Sequence, residues 1–128
     1  MPQQPPRPTD AELEILTVLW SRGPSTVREV HEIIARRKPT QYSTVLKFMQ
    51  IMADKGLVRR NEKQRAHVYE AAQTREWTQQ RLAGDLLQRA FGGSAKNLLM
   101  GALSARKASK QELAELRKML DEFVKGAK

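Results

Sequence analysis

At 128 residues the chain has room for one domain, or for a small domain with an oligomerisation appendage, and for a modest core. It has no cysteine, which excludes a disulfide framework, a thiol nucleophile and a thiolate metal site. No apolar run approaches the roughly 20 residues needed to span a bilayer, and the polar, Pro-rich start MPQQPPRPTD lacks signal-peptide character, so a cytoplasmic protein is expected.

In chain order, residues 1–8 read as a flexible arm. Thr9 with Glu12 makes a capping box, which opens a first helix over about Asp10 to Arg22. Leu13, Leu16, Val18, Leu19 and Trp20 give it a broad apolar face, and Gly23-Pro24 ends it. Ser25-Thr26 leads into a second helix over about Val27 to Arg37, whose Val27, Val30, Ile33 and Ile34 share one face. Lys38-Pro39 breaks it. A third helix over about Gln41 to Lys55 buries Val45, Phe48, Met49 and Met52 and stops at Gly56. Ser43, Lys47 and Gln50 fall on its opposite face, with Thr44 and Leu46 at the edges. Leu57 to Glu62 and Ala66 to Ala71 read as an antiparallel hairpin.

Thr74 then caps a long helix to about Phe91, and Gly92-Gly93-Ser94 breaks the chain before a helix to about Ser104. Ser109 with Glu112 reads as a second capping box opening the last helix. Apolar residues on these three helices include Trp77, Leu86, Phe91, Leu98, Leu99, Leu103, Leu113, Leu116, Leu120 and Phe123. Such wide stripes, appended to an already complete domain, exceed what one copy can bury, so residues 73–128 are expected to form a helical dimerisation domain. The fold expected is mainly α: a winged helix-turn-helix over residues 9–72 with a small β-hairpin wing, followed by that helical module.

Charge is unevenly placed. From Arg36 to Arg65 nine Lys/Arg face only Asp54 and Glu62, whereas from Met1 to Ala35 the acids outnumber the three arginines. Positive charge therefore collects where the third helix and hairpin stand, and a polyanion partner follows. Thr40, Gln41, Ser43, Thr44, Lys47 and Gln50 suit groove entry, because short polar groups at a helix start approach base edges and phosphates without obstruction. The competing reading is that the first of them merely cap the helix. Tyr42 has two open roles, touching a backbone phosphate or packing on the second helix. Arg59, Arg60, Lys63 and Arg65 read as a phosphate clamp or minor-groove probe, against the plainer role of a solubilising hairpin edge.

Other residues carry less. His31 and His67 are too few and too separated for a metal site, and are expected to be a surface residue and a strand residue. Trp20 and Trp77 read as core or interface anchors, and the methionines as packing. No nucleophile–base pairing, phosphate loop or close carboxylate pair appears, so no catalytic residue and no cofactor is expected. Double-stranded DNA and a second copy are the expected partners. A protein of another class, an architectural module binding nucleic acid without sequence choice or binding an acidic protein, is the alternative.

The segments TDAELEILTVLWSRGPSTVREV, YSTVLKFMQIMADKGLVRR, RAHVYEA and FGGSAKNLLMGAL together resemble the penicillinase-repressor family of the BlaI, MecI and CopY type, over about Pro8 to Glu122. The resemblance implies a dimeric winged-helix repressor on a palindromic operator, controlling stress or antibiotic-resistance genes. It places the operator-reading helix on Gln41 to Lys55 and the wing on Arg59 to Ala71. It also brings in a membrane sensor-protease pathway, which in the β-lactam branch cleaves an Asn-Phe pair. Gly101-Ala102 stands at that place here, so release by cleavage at this bond is not implied. The copper branch carries a C-terminal cysteine motif that this chain lacks, which argues against direct copper sensing.

Overall fold

A computed structural model describes residues 5–63 and 65–127. Part of the expected N-terminal arm, residues 1–4, and Gln64 in the wing loop lie outside the described residues. The described residues form six helices and a three-stranded sheet: α1 (Asp10–Arg22), β1 (Ser25–Thr26), α2 (Val27–Ala35), α3 (Tyr42–Lys55), β2 (Val58–Asn61), β3 (Val68–Ala71), α4 (Arg75–Phe91), α5 (Ala95–Ala105) and α6 (Lys110–Gly126).

Local chemistry sets the first boundaries. The Thr9 hydroxyl accepts from the Glu12 amide while the Glu12 carboxylate accepts from the Thr9 amide, the reciprocal box expected. Gly23 ends α1 at φ 95°, a conformation that suits glycine. A second reciprocal box, Thr26 with Glu29, opens α2, where the sequence reading had none. By contrast, Ser109 accepts from the Glu112 amide at 3.0 Å as a simple cap. Gly56 closes α3 in the left-handed region, at φ 83°, and Leu57 turns directly into the wing.

The sheet departs from the expected hairpin in three ways. Its strands are shorter than the runs read from the sequence. A third strand, β1, joins it, giving the order β1-β3-β2, antiparallel throughout, with Ser25 opposite Tyr69. His67 lies just before β3 and is exposed, so it is not a strand residue. Pairing of β1 uses the backbone of a two-residue segment, too short to show a period-2 pattern. In the β2–β3 register Val58 faces Ala71, Arg59 faces Glu70 and Arg60 faces Tyr69.

The core lies among α1, α2, α3 and the sheet: Ile15, Leu16, Val18, Leu19, Val27, Val30, Ile34, Val45, Met49, Met52, Leu57, Val58 and Tyr69 are all buried. One charged side chain joins them. Glu12, 1% exposed, receives Lys55 Nζ at 2.9 and 3.1 Å, tying the start of α1 to the end of α3. Burial pushes its carboxyl up, but the Lys55 ammonium and the Thr9 amide outweigh that and hold it below the ordinary range. Trp20 Nε1 donates to the Gln73 carbonyl at 3.0 Å, anchoring the chain where it enters α4.

The chain divides into two compact units, the first ending at Leu82 and the second beginning at Ala83, inside α4. In the second unit α5 and α6 have no buried residue. No helix among the described residues is long and apolar enough to cross a membrane.

Candidate nucleic-acid interface

The third helix buries Val45, Met49 and Met52 against α1 and α2 and leaves Tyr42, Ser43, Thr44, Lys47 and Gln50 exposed. A helix repeats every 3.6 residues, so Ser43, Lys47 and Gln50 form one polar stripe along its outer side. Gln41 is the N-cap and not a helical residue.

This helix starts differently from the others. Thr9, Thr26, Thr74, Ser94 and Ser109 each accept a first-turn amide at the head of their helix. Gln41 makes no side-chain cap bond. The first turn of α3 thus has no side-chain acceptor from its cap; its Thr44 amide donates to the Gln41 carbonyl at 3.1 Å, beside the polar stripe. A helix start of that kind favours an anion through its amides and its dipole.

The register of the wing sorts its cations. Directly opposed residues in an antiparallel pair share a face. Arg60 therefore shares a face with buried Tyr69, whereas Arg59 shares the other with Glu70, which it approaches at 3.8 Å, and it also donates to the Ala72 carbonyl. Arg60 and Arg65 line an open cleft of about 420 Å³ together with Tyr42, Gln50 and Arg28. Arg59 and Lys63 line a second groove beside Pro24 and Glu70, which Arg60 also borders. Of the four wing cations expected to act together, the structure brings two alongside the reading helix.

Arg60 is held ready in that cleft. It pairs with Glu62 at 2.6 Å, and its neighbours Tyr69 and then Glu62 strengthen its hold on its proton. The Lys63 amide donates to Asn61 Oδ1 at 2.9 Å, a local turn that shapes the start of the wing loop. Arg28, on the first turn of α2, is a cation the sequence reading passed over. It lay outside the basic block, in a segment where acids predominate, and only the packing of α2 beside α3 carries it into the cleft. Tyr42 lines the cleft, and its ring meets His31 on α2.

The residues expected at a dimer interface are split between the units. Trp77 belongs to the first, where it lines a small cavity with Leu16 and Leu57 and lies under the Arg81 guanidinium. Leu86, Phe91, Leu98, Leu99, Leu103, Leu113, Leu116, Leu120 and Phe123 belong to the second. There the Phe91 ring covers Gly101, 3.4 Å from where a Cβ would stand. Leu113, Leu120 and Phe123 are exposed, Phe123 by 73%. Among the described residues no cluster of His, Cys, Asp or Glu could hold a metal ion.

Three packed helices, the third outward-facing and followed by a basic two-stranded wing, define a winged helix-turn-helix protein. A sequence profile of the penicillinase repressor family matches residues 8–122, and the chain belongs to that family of DNA-binding transcriptional regulators. It is 32% identical over 118 residues to the transcriptional regulator BlaI of Mycobacterium tuberculosis, covering 91% of this chain and 85% of that one. It is 19% identical over 115 residues to the penicillinase repressor of Staphylococcus aureus, covering 90% of this chain and 91% of that protein. Its fold matches the solution structure of the DNA-binding domain of the repressor BlaI with a TM-score of 0.51, at 22% identity, over 57% of this chain and 89% of that one.

Proposed function

We propose that this chain is a homodimeric repressor of a palindromic operator, controlling a stress or antibiotic-resistance gene. The observation that carries the reading is the exposed stripe Ser43, Lys47 and Gln50 on α3, standing beside a cleft lined by Arg28, Arg60 and Arg65. The stripe enters the major groove, where Lys47 donates to guanine acceptors and the Thr44 methyl meets a thymine methyl. The cleft cations and the first-turn amides of α3 hold phosphates and fix the register of the helix in the groove. Leu113, Leu116, Leu120 and Phe123, spaced along α6, join two copies through the second unit, and the two reading helices then address two half-sites related by a twofold axis. The names of the relatives, a penicillinase repressor and BlaI regulators, support the class of regulated gene.

Selection of binding sites from a randomised duplex library tests this. The expected product is a palindrome with half-site centres about 34 Å, one helical turn, or a near multiple apart. On that site Lys47→Ala and Thr44→Ala should each cost about 1–3 kcal/mol, and less on random DNA. Recovery of single, non-repeated half-sites sinks the dimeric mechanism. A uniform loss with unchanged sequence preference moves both side chains to phosphate positioning.

A further inference from the structure

The reading helix has no cap of its own, yet its start is held. His31 stands on α2 one turn beyond Val27, half-buried, and not on the open surface as the sequence suggested. Its Nε2 lies 2.6 Å from the Thr40 carbonyl. A carbonyl only accepts, so Nε2 carries the proton and donates it. The other side of the same ring environment is occupied by Tyr42, whose ring meets His31 edge-to-face, with centroids 5.9 Å apart and planes at 85°. Thr40 and Tyr42 flank Gln41, the N-cap that makes no side-chain bond. His31 therefore grips the chain on both sides of the uncapped position.

The rest of the turn makes this grip matter. Its first half is tied to α2 through the Arg37 and Lys38 amides, which donate to the Ile34 carbonyl. Its second half begins with Pro39, which has no amide to give. The Thr40 hydroxyl turns back to Lys38, inside the turn itself. The contact to Thr40 is thus the hydrogen bond, among those of the described residues, that ties the second half of the turn to α2.

We propose that His31 is a positioning residue for the reading helix, setting its first turn from the neighbouring helix in place of the side-chain cap that the other helices carry. It touches no base or phosphate in this role. It fixes where Ser43, Thr44 and Lys47 point, so it governs discrimination between sequences, while Arg28, Arg60 and Arg65 supply affinity for any duplex. The part concerning discrimination rests on the operator reading above; the part concerning the helix start does not.

Two variants separate the contacts. His31→Phe keeps a ring against Tyr42 and loses the donor; His31→Gln keeps a donor and loses the ring. Amide hydrogen exchange on the full-length protein reads the helix start without DNA. In His31→Phe, exchange at Thr44 and Val45 should rise by about five- to tenfold, the effect of one lost hydrogen bond, while Leu16 and Leu19 in α1 stay protected. His31→Gln should recover part of the protection at Thr44 and Val45. Binding to the selected site and to random DNA should then show the preference ratio falling by about fivefold in His31→Phe, with the salt slope and random-DNA affinity unchanged. Unchanged exchange at Thr44 and Val45 overturns the proposal. So does an equal rise at Leu16 and Leu19, which assigns His31 to general stability, and so does an intact preference ratio. If the wild-type chain itself selects no sequence, the operator reading fails, and the exchange data alone decide whether His31 holds the helix start.

Discussion

The two units of this chain put their apolar residues to opposite ends. Up to Leu82, apolar residues from three helices and a sheet converge on a shared core, and even a carboxylate is enclosed there with its partner. From Ala83 on, neither α5 nor α6 buries a residue, and α6 leaves Met119, Leu120, Phe123 and Val124 each at least half exposed. Unpaired apolar stripes of this kind are stable against another copy and costly against water. The difference teaches that stability in the first unit is a property of one chain; if the second unit dimerises as proposed, its stability depends on association, and therefore on concentration.

The largest effect should come from attacking that dependence. Leu116→Glu with Leu120→Glu should abolish the dimer, unfold much of the second unit and leave the first unit folded. Sedimentation with circular dichroism checks it, and an unchanged dimer removes these residues from the interface. A smaller effect belongs wholly to the first unit. Glu12→Gln leaves Lys55 without its partner and should cost about 2–3 kcal/mol, below the roughly 3–5 of a fully enclosed pair, because the Lys55 side chain keeps 31% exposure. The sign with pH follows from the lowered Glu12 carboxyl. Its contribution is complete above the ordinary carboxylate value of 4.5 and is lost as pH falls through the lower folded-state value. Denaturation followed against pH should show Glu12→Gln flattening the acid limb, at the same midpoint whatever the protein concentration.

The smallest effect distinguishes the two faces of the wing. Arg60→Ala should flatten the salt dependence of DNA binding by about one slope unit per protomer, where one phosphate contact is lost. Arg59→Ala should change it less, because Arg59 lies on the other face of the wing and does not line the cleft beside the reading helix. Equal slopes for both variants would show that the wing meets DNA with either face.

Much of this was legible in the sequence, for identifiable reasons. Thr9, Glu12 and Gly23 are strong local signals, and they delimit α1 at both ends. The outer face of α3 followed from periodicity alone, since Val45, Met49 and Met52 fix which side is inward. The difference between Arg59 and Arg60 was hidden, because it depends on the strand register, and adjacent residues take opposite faces once that register is set. Two-residue β1 carries no pattern to read. Arg28 was passed over and His31 was read as a surface residue for one reason: each sits on α2 among acidic or apolar neighbours, and its surroundings arise from what α3 and the wing bring beside it. Charge counted along the chain sees blocks, whereas the cleft is assembled across three elements.

The anchoring of Trp20 to the Gln73 carbonyl, with Trp77 beside Leu16 and Leu57, has an optical consequence. Both tryptophans of the chain, at positions 20 and 77, precede Ala83, as do both tyrosines, at 42 and 69. Intrinsic fluorescence therefore originates in the first unit alone, while far-ultraviolet ellipticity sums the helices of both. On dilution or heating, a loss of ellipticity that runs ahead of the tryptophan signal is the signature of the second unit coming apart first. Coincident curves mean that α4 carries the transition through as one cooperative event.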